Sequence, residues 1–159
     1  CLTAVAALGG WQGGIPGSGQ GLACHKMRGG HIAVLTQVHI SQGRVGVEKI
    51  AAVVDIGKPV NPNIARQQIE GGLIFGLAMA LGGAPNYSGS LPETMRLRDY
   101  ALPRLADVGE VSVEFLESAG DPIGFSELGV PAVAPALASA LATISGRRHR
   151  HLPITGSDI

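Results

Sequence analysis

Glu127 is a carboxylate set among apolar residues and glycines. It stands in "GFSELGVP", flanked by Gly124, Phe125, Leu128, Gly129 and Val130. Two roles suit it. As a helix cap it would open the Ala-rich stretch that starts at Pro131, its charge favoured by the helix dipole. As a general base it would be held ionised yet poorly hydrated by apolar walls, mobile glycines and the same dipole. That neighbourhood tips the balance towards the base.

Gln68 is the second polar residue whose placement could carry chemistry. In "VNPNIARQQIEGGLIFGLAMALGG", Asn61 can cap a helix, Pro62 can take its first position, and good helix formers continue to Leu81. Gln68, Gly72, Gly76 and Ala80 recur every four residues and so share one face of that helix. Something must approach this nearly bare stripe closely. Either a neighbouring helix or the sheet packs there, or Gln68, its one polar side chain, is presented to a ligand.

A third candidate fails. "GGIPGSGQGLACH" spaces Gly14 and Gly19 like the glycines of a phosphate-binding loop, but Gln20 and Gly21 stand where Lys and Ser or Thr are needed. Such a loop should also leave a buried strand and open a helix. Here an Ala-rich helix end, "CLTAVAALGGWQG", precedes it, and "GLACHKMRGG" runs into another glycine pair. The stretch reads as a Gly-rich connection between helix and strand.

The elements that must position Glu127 and Gln68 follow from hydrophobic period. "HIAVLTQVHI" alternates, with Ile32, Val34, Val38 and Ile40 on one face and His31, Gln37 and His39 on the other. "SQGR" turns the chain, so Ile32 to Asp55 reads as a hairpin. "EVSVEFLES" predicts a third strand over about 110–118 with Val111, Val113 and Phe115 inward. A turn-rich loop follows, then a buried helix from Pro131 closed by Gly146. Residues 82–92 and "RLRDYALPRL" read as irregular. Arg147 to His151 read as a solvated turn after a helix, without the interleaved aromatics of a nucleic-acid patch. The expected fold is a two-layer α+β domain, a single unit over residues 1–159, with a mixed sheet and its hairpin packed against two long helices.

Composition narrows the function classes. Twelve basic residues balance twelve acidic ones among 159, so no global field steers the chain to nucleic acid or an anionic surface. Aromatics, at 4%, are too few for base-stacking platforms. Cys1 and Cys24 fit no metal-ligand spacing and read as free thiols, so no metal site is expected from side chains. No apolar run is long enough for a membrane span. The chain opens on Cys1 without Met or polar leader, which suggests a piece of something longer and leaves its compartment open.

"VVDIGKPVNPNIARQQIEGGLIFGLAMAL" and "GFSELGVPAVAPALASAL" resemble the C-terminal part of the molybdenum-binding large subunit of the xanthine dehydrogenase and aldehyde oxidase family, in particular its isoquinoline 1-oxidoreductase beta subunit branch. The resemblance runs from about Gly19 to the "RRHRHLPI" tail. It implies that Glu127 is the catalytic base, that Gln68 hydrogen-bonds the molybdenum cofactor, and that Ser126, which stands where the family usually has glycine, contributes a backbone contact. It further implies a molybdopterin cofactor in its cytosine dinucleotide form, an aldehyde or N-heterocycle oxidised with oxygen from water, and electrons leaving to [2Fe-2S] clusters on a small partner subunit. The rest of the large subunit would complete the site, so the chain alone is expected to be inactive. The rival expectation is a non-catalytic interaction or scaffold domain that binds no cofactor.

Overall fold

A computed structural model describes residues 1–100 and 102–154. Ala101, within the irregular stretch, and the last five residues of the tail lie outside the described residues. The chain opens with helix α1 (Leu2–Gly9), which ends where Gly10 turns left-handed at φ 68°. The Gly10 and Trp11 amides then bond the Ala7 and Ala6 carbonyls, satisfying the last turn. Strands β1 (Gln20–Met27), β2 (Gly30–Ser41) and β3 (Arg44–Asp55) form an antiparallel meander. Helix α2 (Pro62–Leu81) follows, then a two-residue-per-strand hairpin, β4 (Tyr87–Ser88) and β5 (Leu91–Pro92). Strand β6 (Val108–Phe115) joins β3 in parallel, giving the sheet order β1-β2-β3-β6. Helix α3 (Val133–Ser145) closes the fold.

The α+β architecture and mixed sheet are as expected, since a parallel β3–β6 pair needs a long crossover and α2 with residues 82–107 supplies it. Asn61 caps α2 as predicted, its side-chain oxygen accepting from the Asn63 and Ile64 amides at 3.1 Å each. Ile32, Val34, Val38, Ile50, Val54 and Val113 line one face of the sheet. Against them pack Ile69, Leu73 and Leu77 of α2 and Val133, Leu137 and Leu141 of α3. The central strands are buried on both faces, because α1 covers Ala33, Leu35, Ala51 and Val53 on the far side. Beyond the two expected layers, α1 therefore adds a short helix. Between Gln37↔Lys49 and Val38↔Val47 the register slips by one, leaving Glu48 as a bulge in β3.

Three readings of the sequence are corrected here. "QGLACHKM" is a strand, not part of a connection: at the glycine pair that read as a break, Arg28 and Gly29 form a two-residue hairpin turn, with φ of 50° and 88°, and Gly30 opens the next strand. The strand expected over about 110–118 occupies Val108–Phe115; after Leu116, whose amide still bonds the Val54 carbonyl, the chain pairs instead with the segment that follows β3, the Lys58 amide bonding the Gly120 carbonyl and the Ile123 amide the Ile56 carbonyl. Residues 82–92 contain the small β4–β5 hairpin.

The opening Gly-rich stretch has a structural task. The Gly17 amide donates to the Thr143 carbonyl at 2.6 Å and the Gly19 amide to the Thr143 hydroxyl at 3.1 Å. It thereby satisfies the last turn of α3, where backbone acceptors lack intrahelical partners. A strand rather than a helix follows it, and two of its amides are already spent, so the rejection of a phosphate loop holds on geometry.

Candidate functional site: the Gln68–Ser126–Glu127 edge

Glu127 sits in a turn between β6 and α3, and Gln68 on the second turn of α2. The structure brings them to one edge. Gln68 donates from Nε2 to the Ser126 carbonyl at 3.1 Å, and the Ser126 hydroxyl donates to Glu127 Oε2 at 2.5 Å. All three side chains are exposed. The three residues named from the sequence are thus neighbours, although 58 positions separate Gln68 from Ser126.

Packing beneath the turn explains its position. Leu128 is fully buried and Phe125 packs against the same core, so the turn is nailed down on both sides of Ser126 and Glu127. On the α2 stripe, Gly76 is required: a Cβ there would lie 2.4 Å from the Val130 carbonyl oxygen. At Gly129 a Cβ would meet the Ile69 carbonyl oxygen at 2.9 Å and the Leu73 nitrogen at 3.1 Å. The element approaching the small-residue stripe is therefore the backbone of residues 129–133, leading into α3. Close packing is thus what the stripe serves, and the same approach sets the Ser126 carbonyl beside Gln68.

The setting of Glu127 differs from expectation. Its side chain is 55% exposed, not poorly hydrated, because its apolar sequence neighbours point into the core instead of walling it in. Nor does it cap a helix: α3 begins at Val133 with Ala132 as its unbonded N-cap. The Ser126 hydroxyl and then the residue's own backbone amide hold the carboxyl below the ordinary glutamate value, against an opposing effect of desolvation, with the Arg28 guanidinium the smallest contributor. Arg28, from the β1–β2 turn, approaches Oε2 to 4.0 Å with 68% of its side chain exposed. Sequence reading missed it, and the one available signal was the Arg-Gly pair of a tight hairpin turn.

Clefts of about 200–560 Å³ open elsewhere among the described residues, for example beside His39 and Leu102, beside Lys58 and Phe115, and beside Cys24 and His31. The candidate edge is an open surface and not an enclosed pocket. No group of three or more His, Cys, Asp or Glu could hold a metal ion among the described residues. An amide side chain, a backbone segment and a carboxylate suit hydrogen bonding to an organic group and would fit one side of a pterin cofactor.

Fold and edge together define a cofactor-binding α+β domain. The chain belongs to the molybdopterin cofactor-binding domain family, which it matches over residues 12–109, and within it to the molybdenum-binding subunits of the xanthine dehydrogenase and aldehyde oxidase enzymes. Gln68 lies inside that match and Glu127 beyond it. The chain is 31% identical over 140 residues to the isoquinoline 1-oxidoreductase subunit beta of Brevundimonas diminuta, covering 87% of this chain and 18% of that one. It is 35% identical over 127 residues to a membrane-bound aldehyde dehydrogenase [pyrroloquinoline-quinone] of Gluconacetobacter polyoxogenes, covering 79% and 16%. Quinoline 2-oxidoreductase from Pseudomonas putida 86 shares the fold, with a TM-score of 0.69 and 26% identity over 81% of this chain and 18% of that chain. The chain thus spans less than a fifth of the length of these relatives. Among the described residues no helix is long and apolar enough to cross a membrane.

Proposed function

We propose that this chain is the C-terminal part of a molybdenum hydroxylase large subunit, oxidising an aldehyde or an N-heterocycle with oxygen drawn from water. The observation that carries the reading is the hydrogen-bonded Gln68–Ser126–Glu127 edge, left open in a chain whose family binds molybdopterin. When bound, the molybdenum cofactor, in its cytosine dinucleotide form, supplies the centre that accepts the substrate's two electrons. Gln68 and the Ser126 backbone would hold that cofactor by hydrogen bonds. Glu127 accepts at a carboxylate oxygen the proton of the water-derived nucleophile that adds to the electron-poor carbon. Its ionised resting state suits it to that task, since a base must be deprotonated before the reaction. Electrons leave to [2Fe-2S] clusters on a small partner subunit, and the rest of the large subunit supplies the remaining walls of the site.

The test is Glu127→Gln in the cofactor-loaded full-length enzyme. The amide keeps the side chain's shape but accepts no proton, so turnover should fall by about a hundred- to ten-thousand-fold or more while molybdenum content is retained. A loaded variant with full activity removes Glu127 as the base. The name of one relative gives it a quinone cofactor, so the same preparations should be assayed for molybdenum and pyrroloquinoline quinone side by side. Molybdenum with no quinone is the expected result.

A further inference from the structure

We propose that the Ser126 side chain is a positioning residue for Glu127, its hydroxyl holding the carboxylate in one orientation at the open edge. The inference rests on Glu127 acting as the base. It starts from one bond, the 2.5 Å contact from the Ser126 hydroxyl to Glu127 Oε2, a length typical of a hydroxyl donating to an ionised carboxylate. Adjacent residues seldom face each other. Here they can because the chain turns at 126–129, with the Val130 amide bonding the Glu127 carbonyl and the Leu128 amide bonding the Phe125 carbonyl.

The donor is itself fixed. Gln68 of α2 holds the Ser126 carbonyl, and buried Leu128 anchors the far side of the turn, so the hydroxyl is aimed from a rigid mount. A second arm comes from the β1–β2 hairpin. Its turn leans on the same loop, a Cβ at Gly29 lying 3.6 Å from Ile123 Cδ1 and one at Gly30 lying 3.2 Å from Leu128 Cδ2. This delivers Arg28 to within 4.0 Å of the same Oε2. Arg28 is the charged group that faces Glu127 among the described residues; α2 contributes only the neutral Gln68, and α3 begins too far along the chain to cap it. The hydroxyl and, at a longer distance, the guanidinium both lie on the Oε2 side of the carboxylate. The exposed Arg28 pair is worth little by itself, while a short hydroxyl bond to a charge is the stronger of the two contacts.

The sign is direct. A hydrogen bond to the ionised form favours it, so removing the hydroxyl raises the pH at which Glu127 becomes protonated. Ser126→Ala and Ser126→Gly remove the donor, Ser126→Thr restores it, and Arg28→Gln removes the weaker arm. In the full-length enzyme two quantities are read. The first is the pH profile of kcat/KM with benzaldehyde or isoquinoline as substrate. The second, independent of turnover, is the rate at which a water-soluble carbodiimide modifies the Glu127-containing peptide, counted by mass spectrometry, because that reagent attacks the protonated carboxyl. For Ser126→Ala and Ser126→Gly we expect the acid limb to move to higher pH and modification at pH 5 to run about two- to five-fold faster, with Thr close to wild type and Arg28→Gln moving less. Ala and Gly variants that follow the wild-type profile in both measurements overturn the proposal. If Glu127→Gln is fully active while the carbodiimide rates still shift, the assignment of the base is what fails, and the hydrogen bond stands.

Discussion

A glutamine on α2 and a glutamate in a turn before α3 acquire a shared role through one intervening serine. Gln68 gives one amide hydrogen to the Ser126 carbonyl, and its second hydrogen and oxygen can make further hydrogen bonds. Because Gln68 is exposed, Gln68→Ala removes little buried surface, and we expect less than about 1 kcal/mol of stability to be lost. Its larger effect should be functional. In the full-length enzyme the same variant should retain less molybdenum after gel filtration than wild type, with Gln68→Glu no better because a carboxylate cannot donate to the Ser126 carbonyl. Equal metal content in all three proteins would separate Gln68 from the cofactor.

At the scale of elements, the small residues of α2 divide into two kinds that sequence spacing treats alike. A Cβ at Gly76 would stand 2.4 Å from the Val130 carbonyl oxygen, whereas one at Gly72 would reach Gly129 Cα at an ordinary 3.5 Å. Gly76→Ala should therefore cost roughly 1–3 kcal/mol through overpacking. Gly72→Ala should be neutral or stabilising by up to about 1 kcal/mol, since alanine is the better helix former. Urea titrations of the two variants decide this, and equal destabilisation would mean that residues 129–133 do not approach α2 as described. Strand β1 shows the same logic against α3: a Cβ at Gly21 would lie 2.1 Å from the Ala136 carbonyl oxygen. Arg66 ties α2 to β6, its guanidinium bonded to the Val113 carbonyl and resting 5.7 Å from the centre of the Phe115 ring.

Over the whole molecule, the sheet is a platform with α2 and α3 on one face and α1 on the other, and the candidate edge opens where α2, the turn before α3 and the β1–β2 hairpin meet. That edge offers one amide, one backbone segment and one carboxylate, which on the proposed function form a single wall for a cofactor. The 159-residue chain expressed by itself should accordingly bind no molybdenum above background, whereas stoichiometric metal in it by elemental analysis would show that one wall suffices.

Much of this was written locally. The extent of α2 from Asn61 to Leu81, the β2–β3 hairpin and the end of α3 at Gly146 follow from capping, period and turn residues, all short-range signals acting within a few positions. Gln68, Ser126 and Glu127 could likewise be named from their sequence settings and motif resemblance. What needed the tertiary structure was who meets whom. Strand β1 was missed because glycine erases the alternating pattern where a backbone must lie directly on α3, and its turn could not be told from a loop without its partner strand. The hydration of Glu127 was misjudged because apolar neighbours in sequence say nothing of which way they point; Leu128 turns into the core and so turns Glu127 out. The contacts that fix the candidate site, Gln68 to Ser126 and Arg28 to Glu127, join residues far apart in the chain, and only packing of the whole fold decides such pairs.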